Sequence, residues 1–448
     1  MRYLSTRGSP ERPGFAQVLL GGLAADGGLF VPEEWPEVGD EPFDTYPGLV
    51  AATLAPYIEP DDLASELPAL IGEAYSGFRH EEVAPLVEVG DGHFILELFW
   101  GPTLSFKDYA LQVVGWLFET ELRRQKRQLL VLGATSGDTG SAAMAACRGR
   151  ENIQVVILYP EGKISEVQRR QMTAIEDANV QAVAVEGTFD DCQALVKRAF
   201  VDDLDVPLGA INSINWARIA VQASYYLWAA AAVGSPVAFA VPTGNFGNVF
   251  SGYAATRMGA KIDRFIVANN RNHGLTGLIR TGRLEVEAVH STLAPAMDIQ
   301  IPSNLERYLF EIAERDGDRV RHWQSQLADG RLQLSPGEHA RLGEGLEAGW
   351  LSDDQVIEVM RRVHAHNGLL LDPHTAIAWE VGERLRPSGM NLVTVATAHP
   401  SKFGDAVMAA IGQTPDLPDE LAVLFDLPER VTTIPNDYSA LVRLLRTM

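Results

Sequence analysis

The chain has 448 residues, 46% of them hydrophobic, and a formal net charge of −22. That length exceeds what one compact core carries and points to two or three domains. The charge argues against a general nucleic-acid or anionic-membrane binder, yet leaves room for a small anion held by a local nest of backbone N–H groups. No apolar run approaches a membrane span, and no apolar secretory segment follows Met1. Two cysteines, Cys147 and Cys192, give neither a disulfide framework nor a metal site, which fits a reducing cytoplasm.

In chain order, residues 1–88 read as a helical N-terminal region. Gly21-Gly22 and Gly27-Gly28 mark a turn-rich entry, and apolar periodicity at 46–57 and 63–75 predicts two amphipathic helices. From Val87 the pattern changes. Strand-like runs at 94–98, 129–132, 155–158, 180–185, 237–241, 265–268 and 392–396 alternate with helical stretches at 109–123, 140–147, 165–175, 190–200 and 248–258. Buried strands alternating with helices predict an α/β fold with mainly parallel sheets and right-handed crossovers. Residues 285–390 read as mostly helical and polar.

Lys107 stands out. It lies in Gly101-Pro102-Thr103-Leu104-Ser105-Phe106-Lys107-Asp108, after a turn signal and before an apolar helix that Ser105 or Asp108 could cap. Burial disfavours an ammonium, and a neutral amine is what Schiff-base chemistry needs. The alternative is a surface lysine at a helix start.

Two glycine-rich loops join a strand to a helix, Gly133-Ala134-Thr135-Ser136-Gly137-Asp138-Thr139-Gly140 and Pro242-Thr243-Gly244-Asn245-Phe246-Gly247-Asn248. Such loops let the backbone approach a ligand, and the following helix offers free N–H groups to an anion. Neither loop is a Walker A motif or a clean dinucleotide fingerprint. Polar residues also gather past the strand that ends near Thr397, in Ala398-His399-Pro400-Ser401-Lys402-Phe403. His399 there is either a helix-entry residue bonded to backbone or a catalytic group. Asp372 and His374 are either site residues or a helix cap.

Taken together, these segments and Asn212-Ser213-Ile214-Asn215-Trp216-Ala217-Arg218 resemble the threonine synthase family. These are pyridoxal-phosphate (PLP) enzymes of fold type II, the tryptophan-synthase-β-like α/β fold. Tyr3-Leu4-Ser5-Thr6-Arg7-Gly8 and Gly27-Gly28-Leu29-Phe30-Val31-Pro32 extend the likeness to the N-terminus. The resemblance implies a PLP-binding larger domain from 89–128 and 232–448, with 285–390 inserted, and a smaller α/β domain from 129–231. It implies that Lys107 carries PLP, that Gly244, Asn245, Phe246, Gly247 and Asn248 cradle its phosphate, and that Thr397 faces the pyridine nitrogen. Thr135, Ser136, Gly137, Asp138 and Thr139 would bind the substrate carboxylate. Related PLP enzymes often carry Asn where this chain has Asp138.

The substrate so implied is O-phospho-L-homoserine, and the products are L-threonine and phosphate. Lys163, Asn215 and Arg218 are candidates for the substrate phosphate. Arg169 and Arg170 are further candidates, or solvated surface. No metal is expected, nor a nucleic-acid or membrane partner. The longer subgroup that the chain resembles implies a monomer, with a dimer as the alternative. Two other readings stand beside this one: a serine/threonine dehydratase of the same fold, and an inactive family member that only binds.

Overall fold

The structure, a computed structural model, describes residues 1–39, 42–58, 63–202, 204 and 206–447. Six strands form the larger sheet, in the order Leu346–Trp350, Arg264–Asn269, Val237–Pro242, Asn391–Ala396, His93–Glu97 and Leu86–Gly90. Neighbours run parallel except for the final hairpin. The smaller sheet is parallel throughout, in the order Val431–Pro435, Val180–Glu186, Ile153–Pro160, Leu129–Ala134 and Leu208–Gly209. Each strand-like run read from the sequence falls in one of these. The central ones are apolar without alternation because both faces are covered: every residue of Val237–Pro242 is buried.

Two boundaries differ from expectation. The last strand and the helix Tyr438–Leu445 were expected in the larger domain. Instead Val431 pairs with Ala182, and Leu441 packs with Leu130, Val156 and Val183 on the smaller sheet. The region 285–390 is helical as expected, but it also supplies an edge strand to the larger sheet. That strand reads Leu-Glu-Ala-Gly-Trp, and Gly349 breaks its apolar pattern because a Cβ there would lie 2.8 Å from Val381 Cγ1.

The N-terminal region joins the main core through the rings of Tyr3, Trp35 and Tyr57, which pack on Trp216. Trp216 begins the long buried helix Trp216–Val233. Among the described residues, no helix is long and apolar enough to cross a membrane.

Candidate active site

Lys107 is the first residue of the helix Lys107–Gln125. The turn before it is built from its own side chains. Asp108 does not cap the helix as expected. Its Oδ2 accepts from the Thr103 N–H at 2.8 Å and its Oδ1 from the Thr103 hydroxyl at 2.7 Å. Ser105 does not cap it either; the cap position is Phe106, without a side-chain bond. The fold-back brings Asp108 Cβ to 2.5 Å from where a Cβ on Gly101 would stand, so only glycine fits there. The turn is then zipped to the end of the strand Asn391–Ala396. Phe106 N–H donates to the Thr397 carbonyl at 2.9 Å, and His399 N–H to the Leu104 carbonyl at 3.0 Å. Lys107 and Thr397 are thereby held on neighbouring strands of backbone.

Lys107 is 7% exposed, and its amine lies over the Phe106 ring at 4.6 Å. Burial pushes its pKa down; Lys402 and Arg218 push the same way, against the pull of Asp138. Asp138 opens the helix Asp138–Cys147 beyond the smaller sheet. Its Oδ2 is 3.5 Å from Lys107 Nζ, and its Oδ1 accepts from Lys402 Nζ and Gln168 Nε2, each at 2.8 Å. Burial alone would raise this carboxyl, but the two lysines hold it well below the usual carboxylate range. Lys402 is fully buried and also donates to the Thr103 carbonyl at 2.6 Å. The sequence alone assigns Lys402 no role. The signal available was a second lysine in an apolar turn just past Thr397.

The remaining candidates divide. Arg218 is 3% exposed, with Nε and Nη1 lacking a hydrogen-bond partner among the described residues, and burial brings its guanidinium down to about 10. Its charge is felt at Lys107. Asn215 is fully buried and caps the same helix: Oδ1 accepts from the Ala217 N–H at 3.0 Å, and Nδ2 donates to the Leu19 carbonyl at 2.8 Å. Each end of its amide makes one bond to the scaffold, so Asn215 is positioned by the fold. Thr135 likewise keeps its hydroxyl inside its own loop, accepting from the Gly137 and Gly140 N–H groups at 3.0 and 2.9 Å. Ser136 and Thr139 in that loop are half-buried. Lys163 is exposed, and its charge is felt at Asp191 rather than in the Lys107 cluster. Arg169 and Arg170 pair with Glu429, tying their helix to the C-terminal segment.

The second glycine loop fits a phosphate-bearing group. Phe246 takes a left-handed φ of 62° at the start of the helix Gly247–Arg257. Asn248, in the first turn, has a buried Nδ2 without a hydrogen-bond partner among the described residues. Gly244 cannot be anything larger, since a Cβ would sit 2.5 Å from the Ala296 carbonyl oxygen. Asn245 Oδ1 faces Ser303, whose hydroxyl donates to it at 3.3 Å.

His399 and Asp372 resolve as caps. His399 Nδ1 accepts from the Ser401 N–H at 3.2 Å. Asp372 accepts from the His374 N–H and imidazole and from the Thr375 hydroxyl. Thr375 in turn accepts from the Thr397 N–H at 3.2 Å, so this cap supports Thr397 at one remove.

Residues 82–328 match the family described as pyridoxal-phosphate dependent enzymes. Residues 2–75 match the threonine synthase N terminus, and 375–444 the threonine synthase C-terminal family. The chain is 43% identical to the threonine synthase of Pseudomonas aeruginosa, over 98% of this chain and 96% of that one. It superposes on a PLP-bound threonine synthase from Brucella melitensis with a TM-score of 0.96 and 41% identity, covering 100% of this chain and 99% of that one. For threonine synthase from yeast the TM-score is 0.93 at 37% identity, over 100% and 98%.

Proposed function

The chain belongs to the threonine synthase family of PLP-dependent enzymes, and from that membership we infer that it forms L-threonine and inorganic phosphate from O-phospho-L-homoserine and water. One observation carries the residue assignments. A lysine amine is kept out of water and biased towards neutrality, within reach of an ionised carboxylate and under the charge of an arginine with two unmatched nitrogens among the described residues.

PLP, when bound, supplies an aldehyde that joins an amine and a ring that takes up an electron pair. Lys107 Nζ is the amine that anchors it and, once displaced by the substrate amine, the base that takes the Cα proton. Lys107 Nζ would also take a proton from Cβ as phosphate leaves Cγ; protons returned to Cγ and to Cα, with the hydroxyl of water added at Cβ and its proton offsetting the charge on the released phosphate, complete threonine. Gly244, Asn245, Phe246, Gly247 and Asn248 receive the cofactor phosphate on backbone N–H groups and the positive helix end. Thr397 offers its hydroxyl to the ring nitrogen. The 135–139 loop takes the substrate carboxylate on its backbone, with Thr135 holding the loop in shape.

Arg218 is the assigned partner of the departing phosphate. A buried guanidinium with two donors unmatched is strongly favoured by an arriving anion. Asn215 serves this by fixing the start of the helix that carries Arg218, and Lys163 is left as an outer charge. The same reading has the enzyme act as a cytoplasmic monomer on a small molecule.

The test is product analysis. Purified protein with PLP and O-phospho-L-homoserine should release phosphate and threonine in equal amounts. Release of 2-ketobutyrate from threonine, with no phosphate from O-phospho-L-homoserine, would instead identify a dehydratase. No turnover of either, without visible absorbance from bound cofactor, would indicate a binding protein.

A further inference from the structure

We propose that Tyr225 and Tyr226 are positioning residues for the cofactor phosphate, locking the Asn248 carboxamide so that its NH2 group is turned to the phosphate cradle. The inference rests on the cradle assignment just made and adds residues from a different helix to it.

Asn248 Oδ1 accepts from Tyr225 OH at 2.6 Å and from Tyr226 OH at 2.7 Å. Neighbouring residues on a helix diverge by about 100°, so two consecutive tyrosines meet on one atom only by straddling it. Here they straddle the first turn of the helix Gly247–Arg257. Both rings are fully buried and lie 5.0 Å apart. Burial pushes both hydroxyls well above their ordinary range, so both stay protonated and available to donate. A carboxamide has one accepting end and one donating end. A phenol can also accept, but reversing the amide would leave both buried hydroxyl hydrogens without the acceptor they have here, which favours the orientation with Oδ1 between them.

The consequence lies at the other end. Asn248 Nδ2 is buried and has no hydrogen-bond partner among the described residues. Most buried side-chain donors in folded proteins are matched, so an unmatched one in a loop already assigned to an anion is open to a ligand acceptor. Arg218 repeats the pattern. It lies two turns before Tyr225 on the same face of the helix Trp216–Val233, with Nε and Nη1 also unmatched. Its charge acts on both Tyr225 and Lys107. Unmatched donors thus stand at both proposed phosphate positions, Asn248 for the cofactor and Arg218 for the substrate.

The experiment measures equilibrium binding of PLP, and separately of inorganic phosphate, to cofactor-free protein, with its melting temperature as the control for folding. The Tyr225→Phe/Tyr226→Phe double variant should bind PLP about tenfold more weakly or worse, the size expected when a donor to a charged group is no longer held in place. Asn248→Asp keeps an acceptor for both hydroxyls but has no donor, so it should fold and weaken both ligands at least as much. Adding the double change to Asn248→Ala should cause no further loss, since the tyrosines act through that amide. If the double variant binds both ligands like the parent while Asn248→Ala does not, the positioning role is overturned and the cradle stands. If Asn248→Ala also binds like the parent, Asn248 has no part in the cradle and both assignments fall.

Discussion

Lys402 Nζ lies 2.8 Å from Asp138 Oδ1, with both side chains almost wholly out of solvent. One comes from the turn past the larger sheet and the other from the loop past the smaller sheet, so the pair joins the two sheets where the site forms. A buried ion pair offsets its desolvation only when further hydrogen bonds complete both partners. The Thr103 carbonyl and the Gln168 amide supply them here.

Lys402→Met should therefore destabilise the fold by about 3–5 kcal/mol, because the carboxylate keeps its burial and loses its nearest cation. The sign with pH follows from the depressed Asp138 carboxyl. Its contribution is present above the ordinary carboxylate range and lost as pH falls through and below it. The variant should lose less stability on acidification than the parent. Lys402 also lowers the Lys107 pKa, so the pH at which PLP attaches should move upward. Urea melts at neutral and acid pH, with PLP absorbance against pH, check both; superposable curves would refute the pairing.

Lys107→Ala should fold, make no threonine and show no visible absorbance from lysine-bound cofactor. Removing one buried amine that is biased against its charge should not unfold the chain. Circular dichroism and a spectrum with added PLP suffice, and parent-like turnover would end the assignment.

The sheets and the reactive lysine were legible because their signals are local. An apolar strand covered on both faces is a continuous run, and Lys107 sits beside a Gly-Pro turn. What escaped was set by partners distant in the chain. Val431–Pro435 is mostly exposed edge strand and becomes one only by pairing with Val180–Glu186. Asn215 looks like a ligand in its motif, and only the fold brings the Leu19 carbonyl to it. Lys402 differs from a surface lysine solely in what covers it.

Gly244→Ala should weaken PLP binding about tenfold or more, as strain at the cradle is relieved by moving the loop. The atom in the way is a backbone oxygen, that of Ala296, which cannot turn aside as a side chain can. Gly162→Ala at an exposed turn is not a fair control, because Gly162 has a positive φ. Gly404→Ala is, having open space and a helical backbone. Equal PLP affinity for Gly244→Ala and Gly404→Ala would remove the constraint.

His399→Asn should flatten part of the acid limb of stability. Burial, and then the charge of Arg79, hold the His399 imidazole down at about 4, against an ordinary value of 6.5. Between those values the unfolded chain binds the proton and the folded chain does not, so stability falls as pH drops through that window. Asparagine keeps an acceptor for the Ser401 N–H, as a cap should, but does not titrate. Thermal melts across the window test this; an equally steep decline in the variant would count against it.

Thr397 allows the sharpest separation of binding from reaction course. Its backbone is fixed on both sides, by Phe106 and by Thr375, and the residue is 5% exposed. The position of its backbone is therefore set by the fold. Thr397→Val should weaken PLP binding by about 1–3 kcal/mol, since a buried polar atom of the ring loses its partner. Thr397→Asp should retain the cofactor but favour a protonated ring nitrogen, because an opposite charge stabilises that form. A ring made more electron-withdrawing should divert turnover, giving less threonine and more side products such as 2-ketobutyrate. Chromatography of the products beside the cofactor spectrum distinguishes the two effects. If both variants match the parent, Thr397 does not meet the ring. Thr394 or Ser401 would be the next hydroxyl to examine, the first bonded to His93 and the second to His399.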